Sequence, residues 1–183
     1  NYPPSLYGSG RVNPTQNLVD AFPMANGLPI ADGASGYDEN NPYVGRDPRL
    51  NDYILYNGSV FGPGSNSILT SEDSGEDGIG AIAKSTRTGY YLRKLLREDV
   101  NLDAANKANK KHYVSRIRYT ELFVAYAEAA NEAWGPDGSG SHGYSARDVI
   151  AAIRQRAGIS QPDNYLASIS SLADMRKLIR NER

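Results

Sequence analysis

Few side chains of this 183-residue chain are of a type and spacing that could do chemistry, and each has a plainer role open to it. Cysteine is absent, which removes thiol catalysis, disulfides and Cys-ligated zinc and leaves the redox compartment open. His112 and His142 are the only histidines, and neither has a second ligand-type residue at metal spacing. His142 follows the loop Pro136-Asp137-Gly138-Ser139-Gly140-Ser141, where Asp137 could offer an oxygen to calcium. Glu121, Glu128 and Glu132 share one helical face and could hold a cation. Pairing with Arg118 and nearby basic groups is the simpler expectation. In Arg46-Asp47-Pro48-Arg49 two guanidinium groups flank a carboxylate, an arrangement that ordinarily ties a loop to its neighbours. Gly75-Glu76-Asp77-Gly78-Ile79-Gly80 has the glycines of a phosphate loop, but its two acids would repel a phosphate and no Gly-Lys-Ser/Thr follows. Lys107, Lys110 and Lys111 lack interleaved aromatics, which argues against a nucleic-acid site. A glycosidase needs two carboxylates about 5–10 Å apart across a cleft, and no spacing here argues for such a pair. No catalytic residue, metal-ligand set or cofactor site is predicted.

The elements that must carry these residues divide unevenly along the chain. Overall charge nearly cancels, with 20 Lys and Arg against 21 Asp and Glu, so neither a basic polyanion binder nor an acidic tail is expected. No apolar run approaches the roughly 20 residues of a membrane span, and no signal peptide opens the chain. Residues 1–83 hold 3 basic and 10 acidic side chains, residues 84–183 hold 17 and 11, and this complementarity favours their lying against each other. The first 80 residues also contain 12 of the 18 glycines and 8 of the 10 prolines. Glycine admits positive φ and proline lacks a backbone donor, so loops, tight turns and a few short strands are predicted there. One such strand is Tyr53–Tyr56, ending at the turn signal Asn57-Gly58. The segment carries too many large apolar groups, among them Tyr7, Leu18, Phe22, Leu50 and Phe61, for a solvated coil. It reads as a wrapper. The exception is Gly62–Gly80, whose Ser71–Gly78 stretch predicts an exposed, mobile loop.

The second half reads as helical. From Arg116 to Trp134, Tyr119, Leu122, Phe123, Tyr126, Ala127, Ala130 and Ala133 recur at spacings of 3 and 4, which predicts one buried face. Gly135-Pro136 ends that helix, and Trp134 reads as a packing plug rather than a sugar platform. Ser145-Ala146-Arg147-Asp148 and Ser171-Leu172-Ala173-Asp174 both have the form of a capping start, predicting helices to Gly158 and to Arg183. Ala127, Ala129 and Ala130 on the first helix and Ala151, Ala152 and Ala157 on the second would let the two approach closely. Periodicity alone leaves open whether this is an ordinary helical hairpin or a tetratricopeptide-like unit. The predicted fold is mainly α with extensive irregular coil: a single domain over 1–183, with a loop-rich wrapping segment over 1–90 and a helical segment over 91–183.

Five motifs in order carry a resemblance. They are Asn13-Pro14-Thr15-Gln16-Asn17-Leu18-Val19-Asp20-Ala21-Phe22-Pro23-Met24-Ala25-Asn26-Gly27, then Asn41-Pro42-Tyr43 with Arg46-Asp47-Pro48-Arg49-Leu50, then Thr88-Gly89-Tyr90-Tyr91-Leu92-Arg93-Lys94. Arg118-Tyr119-Thr120-Glu121-Leu122 running into Tyr126-Ala127-Glu128-Ala129-Ala130-Asn131-Glu132 follows, and Ile153–Gly158 with Ile179–Arg183 completes the set. In this order they resemble the SusD/RagB family of Bacteroidetes outer-membrane nutrient-binding lipoproteins. Family members run to several hundred residues and carry a lipidated cysteine, so the resemblance implies an internal or C-terminal piece of a longer, surface-exposed protein.

The resemblance implies binding without catalysis or cofactor. The ligand would be a glycan, or in RagB-like members a peptide, handed to a SusC-like TonB-dependent transporter. Membrane attachment would come only through an upstream lipid anchor, and no nucleic acid is involved. Such sites stack aromatic rings on sugar faces and bond hydroxyls with Asn, Asp and Arg. Among the 13 tyrosines, Tyr37 and Tyr43 in Tyr37-Asp38-Glu39-Asn40-Asn41-Pro42-Tyr43 are the candidate ligand-binding residues. A tyrosine packed in a Pro/Gly-rich wrapper is ordinarily core with its hydroxyl satisfied. The alternative reading is a helical-repeat module that binds another protein.

Overall fold

The computed structural model describes residues 1–72 and 75–183. These form two compact units, each assembled from two stretches of chain. One is Asn1–Asp20 with Arg49–Val114, and the other is Ala21–Pro48 with Ser115–Arg183.

The first unit has little regular structure, as its glycines and prolines require. Two short helices, α1 (Gln16–Ala21) and α2 (Pro48–Tyr53), flank the stretch that belongs to the other unit. Tyr53 closes α2, so the strand expected over Tyr53–Tyr56 contracts to β1 (Ile54–Leu55). β1 pairs antiparallel with β4 (Tyr91–Leu92), while β2 (Ser59–Phe61) and β3 (Asn66–Ile68) form a separate hairpin. The core is Tyr2, Leu55, Phe61, Ile68, Tyr91 and Val100.

Tyr2 and Tyr91 serve packing here, with their hydroxyls spent on backbone. Tyr91 is fully buried; its hydroxyl accepts from the Thr86 amide at 2.9 Å and donates to the Asp77 carbonyl at 3.0 Å. Burial pushes its pKa up to about 12. Tyr2 donates to the Arg97 carbonyl at 2.8 Å and accepts from the Arg97 amide at 3.0 Å. The exposed loop expected over Gly62–Gly80 is corrected in part. It contains β3, and Ile68, Thr70 and Asp77 are buried. Asp77 accepts from the amide and hydroxyl of Ser5, which gives its carboxylate a structural task that composition does not announce. Asp73 and Ser74 of that expected loop lie outside the described residues.

The second unit holds the long helices: α3 (Tyr119–Trp134), α4 (Ala146–Ala157) and α6 (Leu172–Glu182), with a short α5 (Asn164–Ser168) that periodicity does not reveal. Ser145 caps α4 in a full capping box, accepting from the Asp148 amide while Asp148 accepts from the Ser145 amide at 2.8 Å. The same contacts hold the Asp148 carboxyl below its ordinary range, the backbone hydrogen bond first and the Ser145 hydroxyl next. Ser171 caps α6 by accepting from the Asp174 amide at 3.0 Å. Gly158 ends α4 in the left-handed conformation, as expected.

α3 packs against both α4 and α6 around Val124, Ala127, Ala130, Ala146, Val149, Ile150, Met175, Leu178 and Ile179. Burying each large aliphatic group there contributes about 1.5–3 kcal/mol before entropy is subtracted. Two expectations about α3 are corrected. Ala127 and Ala130 are buried at the contact, but Ala129 and Ala152 face solvent. The N-terminal part of its apolar stripe is not core: Tyr119, Leu122 and Phe123 are 74%, 58% and 45% exposed. The three glutamates of α3 pair with arginines of the C-terminal helix, not with Arg118, among the described contacts. Glu132 pairs with Arg176, Glu128 with Arg180 and Arg183, and Glu121 with Arg183, a ladder of ion pairs to α6.

Beneath the ladder lies a buried charge centre. Arg154 of α4 is 1% exposed and donates to Asp163 at 2.6 Å, Glu182 at 2.8 Å and the Gly27 carbonyl at 2.9 Å. Burial alone would lower the guanidinium pKa, but the two carboxylates outweigh it and hold it above its ordinary value. Gly27 has φ +87°, and a Cβ there would lie 2.6 Å from Arg154 Nη2, so this approach requires glycine.

Candidate functional site

Residues 21–48 form a long loop of the helical unit, tied to the rest of that unit through its first seven residues. Asn181 donates to the Ala21 carbonyl at 2.9 Å, the Ser160 amide to Ala25 at 2.8 Å and Arg154 to Gly27. Within the loop, Met24 and Arg46 form an isolated antiparallel bridge, and the Ala25 amide donates to Gly45 at 2.8 Å. A loop this long needs a staple. Arg46 is that staple: buried, it donates through Nη1 to the Pro42 carbonyl at 2.7 Å and through Nη2 to the Phe22 carbonyl at 2.8 Å. The tie-down role expected of Arg46-Asp47-Pro48-Arg49 is therefore seen for Arg46, and Asp47 is buried with its amide bonded to Pro23.

Tyr37 lies on this staple, its ring centre 5.4 Å from the Arg46 guanidinium carbon, a cation–π contact. Its amide donates to the buried Ser35 hydroxyl at 3.2 Å, and Asn26 holds the Ser35 carbonyl at 3.0 Å. Tyr37 and Tyr43 are both half-buried. Between them Asp38, Asn40 and Asn41 are exposed and joined: Asp38 Oδ1 accepts from the Asn40 amide at 2.9 Å, and Oδ2 accepts from Asn41 Nδ2 at 2.7 Å. The Asn41 side chain first, then the Asn40 amide, hold the Asp38 carboxyl below its ordinary range. One stretch of loop thus presents two partly open rings beside a carboxylate and two amides. That set can stack on an apolar ring face and bond hydroxyls. It contains no nucleophile aligned with a base.

The other candidates resolve differently. Asp137, considered for calcium, is clamped by Arg147 at 2.6 and 3.1 Å, and the Arg147 contact holds its carboxyl below the ordinary range. Among the described residues no three His, Asp or Glu side chains gather as a metal site, and no helix is long and apolar enough to cross a membrane. Sequence reasoning missed Arg154, because an arginine in the last turn of a helix ordinarily reads as solvated.

The SusD family profile matches residues 1–183, the whole chain. The chain belongs to the SusD family. Two solved structures illustrate the fold of this SusD family chain. A SusD-like carbohydrate binding protein from Bacteroides fragilis is 26% identical, with a TM-score of 0.69 over 93% of this chain and 32% of its own. A second SusD-like protein from the same species is 29% identical, with a TM-score of 0.72 over 96% of this chain and 34% of its own. The chain therefore spans about a third of the length of each. No curated protein matches it. The mainly helical, coil-rich architecture is that of SusD-like proteins.

Proposed function

We propose that this chain is the part of a SusD-like cell-surface protein that helps hold a glycan, without catalysing any change in it, for delivery to a SusC-like TonB-dependent transporter. The parent protein would sit at the outer membrane on a lipid anchor carried by a cysteine outside this cysteine-free stretch. Family membership and the carbohydrate-binding relative support the ligand class. The observation that carries it in this chain is the Tyr37–Tyr43 loop, where partly open rings flank Asp38, Asn40 and Asn41 on a backbone stapled by Arg46. A binding loop held rigid before the ligand arrives loses less entropy on binding.

Isothermal titration of the chain against neutral oligosaccharides and against short peptides tests the reading. Sugar binding is expected, weakened about tenfold in Y43A and in N40A/N41A, the loss of about 1.4 kcal/mol. Heat with peptides alone would replace glycan by peptide as the ligand. Binding of neither, with capture of defined protein partners only, would favour the interaction-module alternative. Turnover of a polysaccharide abolished by one carboxylate substitution would overturn the non-catalytic reading.

A further inference from the structure

The connection between α3 and α4 gathers aromatic side chains that the loop above does not use. Trp134 closes α3, and the His142 ring lies 5.5 Å from it at 47°. His142 also meets Tyr126 edge-on at 5.8 Å, and the Tyr126 hydroxyl donates to the Tyr144 carbonyl at 2.8 Å. The connection lies against the indole: a Cβ on Gly140 would stand 2.7 Å from the Trp134 ring, and its φ of +55° also favours glycine. The base of the connection is fixed by the Asp137–Arg147 pair, by Arg147 donating to the Leu166 and Ile169 carbonyls, and by the Ser145–Asp148 capping box.

A plug would be buried. Trp134 instead keeps 44% of its surface exposed, Tyr144 keeps 63%, and His142 is exposed. An indole held by close backbone contact and left open to water loses little entropy when an apolar face settles on it. Arg147 is spent on Asp137 and two carbonyls, so the surface offers stacking rather than its guanidinium for an acidic sugar. Resting on the reading that the chain binds glycan, we infer that Trp134, with His142 beside it, is a second stacking face for a neutral pyranose unit.

Trp134 is the single tryptophan of the chain, so its emission reports on this face alone. The chain is titrated with neutral malto-, xylo-, manno- and galacto-oligosaccharides, with calorimetry and tryptophan fluorescence read in parallel. The expected result is a saturable change in Trp134 emission and protection from acrylamide quenching, at the calorimetric Kd. H142A, with unchanged far-UV circular dichroism, should weaken that Kd at least about fivefold. W134A serves as a further variant if it folds. Sugar heat with Trp134 emission and quenching unmoved would overturn this face and leave the functional reading standing. No heat with any oligosaccharide would overturn both.

Discussion

Replacing Arg154 by methionine tests whether the buried charge centre holds the helical unit together. The side chains of Arg154, Asp163 and Glu182 are 1%, 5% and 1% exposed, so R154M leaves two carboxylates in the interior and the Gly27 carbonyl without its donor. Removing one partner from a buried ionic cluster costs about 3–5 kcal/mol. At about 2–4 °C per kcal/mol for a chain of this size, Tm should fall by roughly 6–20 °C. Helical ellipticity at 222 nm is the suitable signal, because α3, α4 and α6 all lie in the unit that Arg154 centres. A loss under about 1 kcal/mol would refute the reasoning.

Three further outcomes follow from the same structure. S145A removes the capping oxygen of α4 and should cost about 1 kcal/mol in urea denaturation, with D148N losing a similar amount at pH 7. Asp137 and Asp148 titrate below their ordinary 3.8 in the folded chain, so their stabilisation is complete above that value. Tm should accordingly hold between about pH 7 and 5 and decline below about 4, as protonation proceeds through the lowered values. L122E/F123K changes two side chains that are 58% and 45% exposed. It should alter stability by no more than about 0.5 kcal/mol in urea denaturation; a loss of about 2–5 kcal/mol would instead mean that both are core.

What was legible in the sequence was local. The Ser145 and Ser171 caps and the Gly158 stop need only neighbours three or four positions away, and all three stand where the spacing puts them. The stripe Tyr119-Leu122-Phe123 was legible as one apolar face, but periodicity says nothing of which part of a face meets a partner. Arg154 was illegible for a related reason: its acceptors come from positions 27, 163 and 182, and only the tertiary fold joins them. Asp77 likewise looks like part of a solvated acidic run until Ser5 is placed against it. At the candidate site, Tyr37 and Tyr43 could be singled out by residue type, whereas the Arg46 staple that sets the loop required coordinates.

The alternation of stretches between the two units has a consequence for biosynthesis. Ala21–Pro48 leaves the ribosome before the helices that hold it, which follow only after the intervening Arg49–Val114. At about 5–20 residues per second, those 66 positions keep the 21–48 loop waiting for roughly 3–13 s as unsupported nascent chain. Even then its clasp on Arg154 lacks Glu182 until translation reaches that codon. Premature stops in α6 should therefore release the loop as surely as deleting it, and yield aggregates rather than a shortened folded chain.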